Sequence, residues 1–279
     1  MNSVVKEFNN PVPISELEKD KILNLRFTAK TISVANAFGF APLLHKLAES
    51  EQKFKTDPSP ANKSEYMDVQ IKINKMISLA MMEVSSTATE IHCYSDRIKE
   101  IVNSIRNEEI NSNRRLTATS IIATAIFSII SGAVAWQTNT VQALVNVFGG
   151  LSIGAVSYKS INIESEVDYY SVKKVLKDIW YKPEQSESFS PPIWFLLNQV
   201  SQRSKGKDSL RDILVNRWKE SGYLGKESSE ERKKLIQLYF DENGAYNADQ
   251  LDIRKEMLNE VATEINLMQQ DLRNLIDEL

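Results

Sequence analysis

Residues 116–158 read LTATSIIATAIFSIISGAVAWQTNTVQALVNVFGGLSIGAVSY and contain no Asp, Glu, Lys, Arg or His. A bilayer-spanning helix needs about 20 mostly apolar residues, so the stretch is long enough for two. Gln137, Thr138, Asn139 and Thr140 form a polar break where a turn fits. The apolar side chains of the first half are Leu116, Ile121, Ile122, Ile126, Phe127, Ile129, Ile130, Val134 and Trp136. Those of the second half are Val141, Leu144, Val147, Phe148, Leu151, Ile153 and Val156. Three readings compete: a permanent two-span anchor, a hairpin hidden in water and inserted later, and a buried core hairpin that never meets lipid. A core hairpin ordinarily keeps charges on its solvent face, and this one has none.

The stretch is apolar only in moderation. Thr117, Thr119, Ser120, Thr124, Ser128, Ser131, Gln142, Asn146 and Ser152 dilute it. Lipid penalises Gln142 and Asn146 unless a partner helix satisfies them. Gly150 and Gly154 stand in a GxxxG spacing that lets two helix backbones approach closely in lipid. In water the same glycines weaken a helix, and a simple helix break is an equal alternative. Arg114 and Arg115 precede the stretch and Lys159 follows it, while the turn carries no charge. By the positive-inside tendency both flanks then share the cytoplasmic side.

Outward from this stretch the chain reads as helical. Its 279 residues include only 9 glycines and 8 prolines, too few turn formers for a loop-rich β architecture. The expected organisation is an N-terminal arm with helices over 1–60 and a long stalk helix over 61–115. The hydrophobic hairpin over 116–158, a return helix over 159–182 and C-terminal helices over 191–279 follow. A linker is expected over 56–62, with the long helix starting near Ser64. Ile73, Ile77, Ala80, Val84, Thr87, Ile91, Tyr94, Ile98, Ile101 and Ile105 recur in alternating steps of four and three, a heptad seam. A second seam runs through Leu258, Val261, Ile265, Met268, Leu272, Leu275 and Leu279. It requires a helical partner, either the first seam or another copy of the chain, and the first seam is the simpler choice. The helix after the turn is expected to run over 140–181, and later helices over 193–222, 227–241 and 247–279. Pro191 and Pro192 mark a joint, and residues 201–211 read as a basic solvated loop. No stretch shows the alternation of a strand. The fold class is all-α: an elongated bundle of long heptad-patterned helices with a central hydrophobic helical hairpin.

Little in the chain suits catalysis. Gly150, Ser152 and Gly154 match the spacing of a nucleophile elbow. That motif needs a strand–turn–helix setting and a histidine after the serine, whereas His45 and His92 both precede it. His92 and Cys93 are adjacent, with no second ligand pair to complete a zinc site. No phosphate-binding or dinucleotide fingerprint is present, so no cofactor and no enzyme activity are expected. A net charge of −3 and the lack of a basic-aromatic surface argue against nucleic acid as a partner. Residues 241–279 hold ten acids against three bases, most simply a solvated acidic face. A single cysteine excludes an internal disulfide. The opening MNSVVKEFNNPVPISELEKD has no apolar core of a cleaved leader, so any export is expected to use another route.

Long heptad helices that run into a central hydrophobic hairpin and then return resemble the α-helical pore-forming toxins of the cytolysin A and tripartite haemolysin type. The matching element is 116–158 as a membrane-inserting head, carried on 64–115 and 159–180 as a stalk. The resemblance implies a soluble monomer that hides its head, then extends and assembles in a lipid membrane, alone or with partner toxin subunits. Two other layouts remain open. One is an integral two-span protein with both arms cytosolic, similar to the anchor or effector modules of bacterial defence systems. The other is a soluble helical scaffold with a buried hairpin.

Overall fold

The longest element begins where local chemistry allows it. Ser59 Oγ accepts from the Asn62 amide at 3.4 Å, and Pro60 occupies the first helical position, where its missing N–H costs nothing. The computed structural model describes residues 11–12, 14–111, 166–171, 173–200, 208–226, 229–241 and 243–279. Its elements are α1 (Ile14–Leu17), α2 (Lys21–Arg26), α3 (Ala29–Ala37), α4 (Ala41–Thr56), α5 (Pro60–Asn111), β1 (Val167–Tyr170), α6 (Val175–Tyr181), α7 (Pro191–Asn198), α8 (Leu210–Glu220), α9 (Glu230–Phe240), β2 (Asn243–Tyr246) and α10 (Ala248–Asp277). The fold is mostly helical, as the composition implies.

The 52-residue α5 and the 30-residue α10 form the spine. They run in opposite directions. Arg106, near the far end of α5, meets Asp249 and Asp252 in the first turns of α10, while His92 stands beside Asn266 further along. Ile73, Ile77, Ala80, Val84, Thr87, Ile91, Ile98, Ile101 and Ile105 are all buried, and Tyr94 is half-buried. Leu258, Val261, Ile265, Met268, Leu272 and Leu275 are buried with them, and Leu279 is half-buried. A fully buried Ile or Leu contributes about 1.5–3 kcal/mol, so these side chains dominate the core.

Two layers cover the spine. On one flank α4 folds back along α5, with Phe54 stacked on Tyr66 at 6.2 Å, and Lys30 of α3 pairs with Asp271 of α10 at 2.6 Å. On the other, α6, α8 and α9 close around an aromatic knot. Trp180 stacks on Phe240 at 4.3 Å, Trp218 lies 5.9 Å from the same ring, and the Trp218 indole N–H donates to Glu260 at 3.0 Å.

Several boundaries differ from those the sequence suggests. Only residues 57–59 separate α4 from α5, and α5 starts at Pro60 rather than Ser64. The return helix expected over 159–182 is interrupted within its described part. There β1 pairs antiparallel with β2, Val167 opposite Tyr246 and Tyr170 opposite Asn243, before α6 begins. Val167 and Tyr169 are buried and Asp168 is half-buried, the period of two that a strand imposes. The helix expected over 193–222 is two helices, and Val200 bridges to Ser209 across the joint between them. Pro191 and Pro192 start α7 instead of merely preceding it. α3 ends at Ala37 and α4 starts at Ala41, with Gly39 between them left-handed at φ 71° and Pro42 in the first turn of α4.

The hairpin 116–158 lies outside the described residues, and with it every side chain named above as membrane-inserting, the Gly150 and Gly154 pair, and the flanking Arg114, Arg115 and Lys159. Among the described residues, no helix is long and apolar enough to cross a membrane.

Candidate functional site: the root of the uncharged stretch

The described body ends at Asn111 before the uncharged stretch and resumes at Glu166 after it. The elements on either side of this gap meet at one end of the spine. Arg106 lies one and a half turns before the end of α5, and its Nη2 pairs with Asp249 at 3.0 Å and Asp252 at 2.6 Å. On the return side, β1 is the first described element, and Val167 faces Tyr246 two residues before α10 begins. Arg106 near the last described residue before the gap and Val167 near the first one after it therefore both contact the N-terminal end of α10 or the residue just before its Asn247 cap.

Local chemistry fixes that terminus. Asn247 caps α10: its side chain accepts from the Gln250 amide at 2.9 Å, and Gln250 returns the bond to the Asn247 amide at 3.0 Å. Asp249 in the first turn suits the positive end of the helix dipole. Gly244 in β2 lets the ribbon lie close to α9: a methyl group at its Cα would stand 2.5 Å from Leu238 Cδ1, and that side chain would have to shift.

Under the β1–β2 ribbon lies Arg254, only 3% exposed. Its Nη1 donates to the Tyr239 carbonyl at 2.7 Å and to the Tyr246 hydroxyl at 3.0 Å. The guanidinium also faces the Tyr169 ring at 5.3 Å and the Tyr246 ring at 5.8 Å, within cation–π range. Tyr246 donates onward to the Leu238 carbonyl. Burial pushes the Tyr239 and Tyr246 phenols above their ordinary pKa, so both stay neutral around the cation. The arrangement ties β1, β2, α9 and α10 together through one side chain.

Arg254 was legible in principle. Carrying the α10 seam backward from Leu258 by steps of four and three reaches Arg254 and then Leu251. A charge at a seam position signals a buried, partnered cation. Arg106, Asp249 and Asp252 carry no such signal, since exposed helix faces are full of such residues.

The remaining candidates fall apart. His45 sits between Asp20 at 2.6 Å and Glu49 at 3.3 Å, at the α2–α4 contact far from the root in sequence. Partial burial lowers its pKa, but the Asp20 and Glu49 carboxylates outweigh this and raise it. His92 faces Asn266, and Cys93 is a half-buried free thiol. Among the described residues, no three His, Cys, Asp or Glu side chains gather where they could hold a metal ion. Ser152 of the elbow-like motif lies outside the described residues.

No protein-family model, curated protein or solved structure matches the chain.

Proposed function

We propose that the protein acts on a lipid bilayer by inserting residues 116–158 as a two-helix hairpin, and that inserted copies assemble and permeabilise the membrane. The observation that carries this reading is the shared root. A chain that leaves and returns at one end of the body suits an even number of crossings. Residues 116–158, with no charge, have the length for two. Both flanks then lie on one side, with Arg114, Arg115 and Lys159 at the headgroups. Gln142 and Asn146 supply the reason to assemble, because hydrocarbon leaves them unsatisfied unless another helix pairs with them. Gly150 and Gly154 give that helix a close approach. The protein is soluble before insertion and membrane-bound after it, with copies of itself or further toxin subunits as partners.

A second reading, a permanently inserted two-span anchor with both arms cytoplasmic, is favoured by the three flanking cations alone. Fractionation of untagged protein without detergent, followed by dye release from liposomes, separates the readings. Soluble recovery with leakage supports the pore. Recovery only with membranes supports the anchor. Soluble recovery with neither binding nor leakage leaves a helical scaffold and refutes both. Ile126→Arg or Leu151→Arg costs about 2.5–3.5 kcal/mol if the site reaches the bilayer centre. Membrane partition should then fall roughly a hundredfold while helical content is unchanged.

A further inference from the structure

The root raises the question of whether the body must open for residues 116–158 to work. The α5 seam is closed along most of its length by residues of the same chain, with Ile73, Ile98 and Ile105 at 0% exposure. The α10 seam is closed as well, with Val261, Ile265 and Leu272 at 0%. Polar groups are few on these faces: Glu83, Thr87 and Ser95 are buried on α5, and the Ser95 hydroxyl donates across to the Lys255 carbonyl of α10 at 3.5 Å.

Helix α10 is also fastened at both ends. At the root Arg106 bridges to Asp249 and Asp252, and the ribbon leads straight into the Asn247 cap. At the far end Glu278 accepts from the Thr28 amide at 3.0 Å and from its hydroxyl at 2.8 Å, while Arg26 donates to the Leu279 carbonyl at 3.3 Å. Between these ends Arg254 gives a strong reason against parting. Withdrawing α10 from the ribbon removes the Tyr246 hydroxyl and both ring faces from a buried cation, and withdrawing it from α9 removes the Tyr239 carbonyl as well.

We propose that the root stays closed while the protein acts on a membrane, so that the body serves as a fixed base and α10 is never released from α5 or from the β1–β2 ribbon. The inference rests on the membrane reading above and adds to it: insertion proceeds without extension of the α5–α10 pair.

The strand register supplies the test. Asp168 stands opposite Ala245, and Cα atoms of such antiparallel partners lie about 4.5–5.5 Å apart, within reach of a disulfide. The variant Asp168→Cys, Ala245→Cys is made in a Cys93→Ala background, so that no other thiol competes. Partition into liposomes of phosphatidylcholine and phosphatidylglycerol, and release of an entrapped dye, are compared for the oxidised and reduced forms. The closed root requires the pair to oxidise readily and both forms to bind and leak within twofold of each other. A loss of tenfold or more on oxidation, regained on reduction, means that the ribbon must open and overturns the proposal. Failure of the pair to close overturns it too, because β1 is then not held beside β2. A parallel measurement uses the unaltered chain. Amides between Leu258 and Leu275 should exchange as slowly on liposomes as in water, and a tenfold or greater acceleration refutes the fixed base. If the unaltered chain neither binds nor leaks these liposomes, the membrane reading itself fails and the base falls with it, an outcome distinct from an oxidation-dependent loss.

Discussion

Helix α5 and the stretch 116–158 are both long, both rich in Ile, and nearly consecutive in the chain, yet they obey different rules. In α5 most apolar residues line the buried seam, although Met67, Ile71 and Met82 are exposed, and the outward positions also carry Lys72, Lys75, Lys99 and Arg106. Such a helix has a wet face and a dry face, and α10 covers the dry one. In 116–158 no position carries a charge, so the stretch has no face made for water. The two neighbouring segments thus differ in kind: one alternates charged and apolar positions at helical spacing, and the other has no charged position at all.

The largest expected effect breaks that comparison from the α5 side. Ile98→Asp puts a carboxylate at a position with 0% exposure. It should cost more than about 4 kcal/mol, as uncompensated buried charges do. Far-UV circular dichroism at 37 °C should show partial or complete unfolding. Ile126→Arg should leave the melting temperature of the body unchanged and act only on membrane partition. If Ile126→Arg unfolds the protein as Ile98→Asp does, the uncharged stretch belongs to the same core and the distinction fails.

A finer contrast lies within the root. Arg254→Met removes a buried cation with two hydrogen bonds and two ring contacts, and should cost about 2–3 kcal/mol. Arg106→Met removes a cation whose side chain is 47% exposed, and should cost under about 1 kcal/mol. Thermal melts should therefore rank the two variants clearly, and equal losses would mean that the ribbon draws no special strength from Arg254.

The smallest effect concerns the far side of the bundle, where charge pairing is partly wet. The Asp20–His45 pair links the α2 cap to α4. His45 is raised above its usual 6.5, so its contribution is full below that value and is lost as pH rises through the raised pKa. Burial pushes the Asp20 carboxyl up, but the Leu23 amide and His45 hold it below its usual 3.8. Its contribution is full above that value and is lost as pH falls through the lowered pKa. Stability from the pair therefore peaks between about pH 4 and 6.5, and at one-third exposure it should amount to under about 1 kcal/mol. Melting temperature against pH should show a shallow maximum there that His45→Gln flattens, with no change in the Ile98 or Arg254 variants' ranking.

The seams of α5 and α10 were readable because a heptad sustained over many turns leaves few alternatives. The break at Gly39 and Pro42 follows from opposite backbone properties: Gly39 takes a left-handed φ of 71° that other residues resist, and Pro42 suits only the first turn of a helix. The ribbon was not readable. Val167–Tyr170 and Asn243–Tyr246 are four residues each, too short for alternation to register, and they pair across more than 70 positions of sequence. Val167, Tyr170, Val175 and Ile179 recur at spacings that a single helix through 140–181 would also produce, whereas the strand and α6 divide them. The root escaped for a related reason. Arg254 lies one step before the seam expected from Leu258 onward, and its partners come from three other elements.

The aromatic knot has a spectroscopic consequence. Of the four tryptophans, Trp218 is fully buried, Trp194 is 8% exposed and Trp180 is half-buried against Phe240, all within α6, α7 and α8. The fourth, Trp136, lies in the uncharged stretch. The protein thus carries its own depth gauge. On the proposed membrane reading, bromine on the lipid acyl chains should quench Trp136 and spare the three body indoles, which then supply an internal reference in the same emission spectrum.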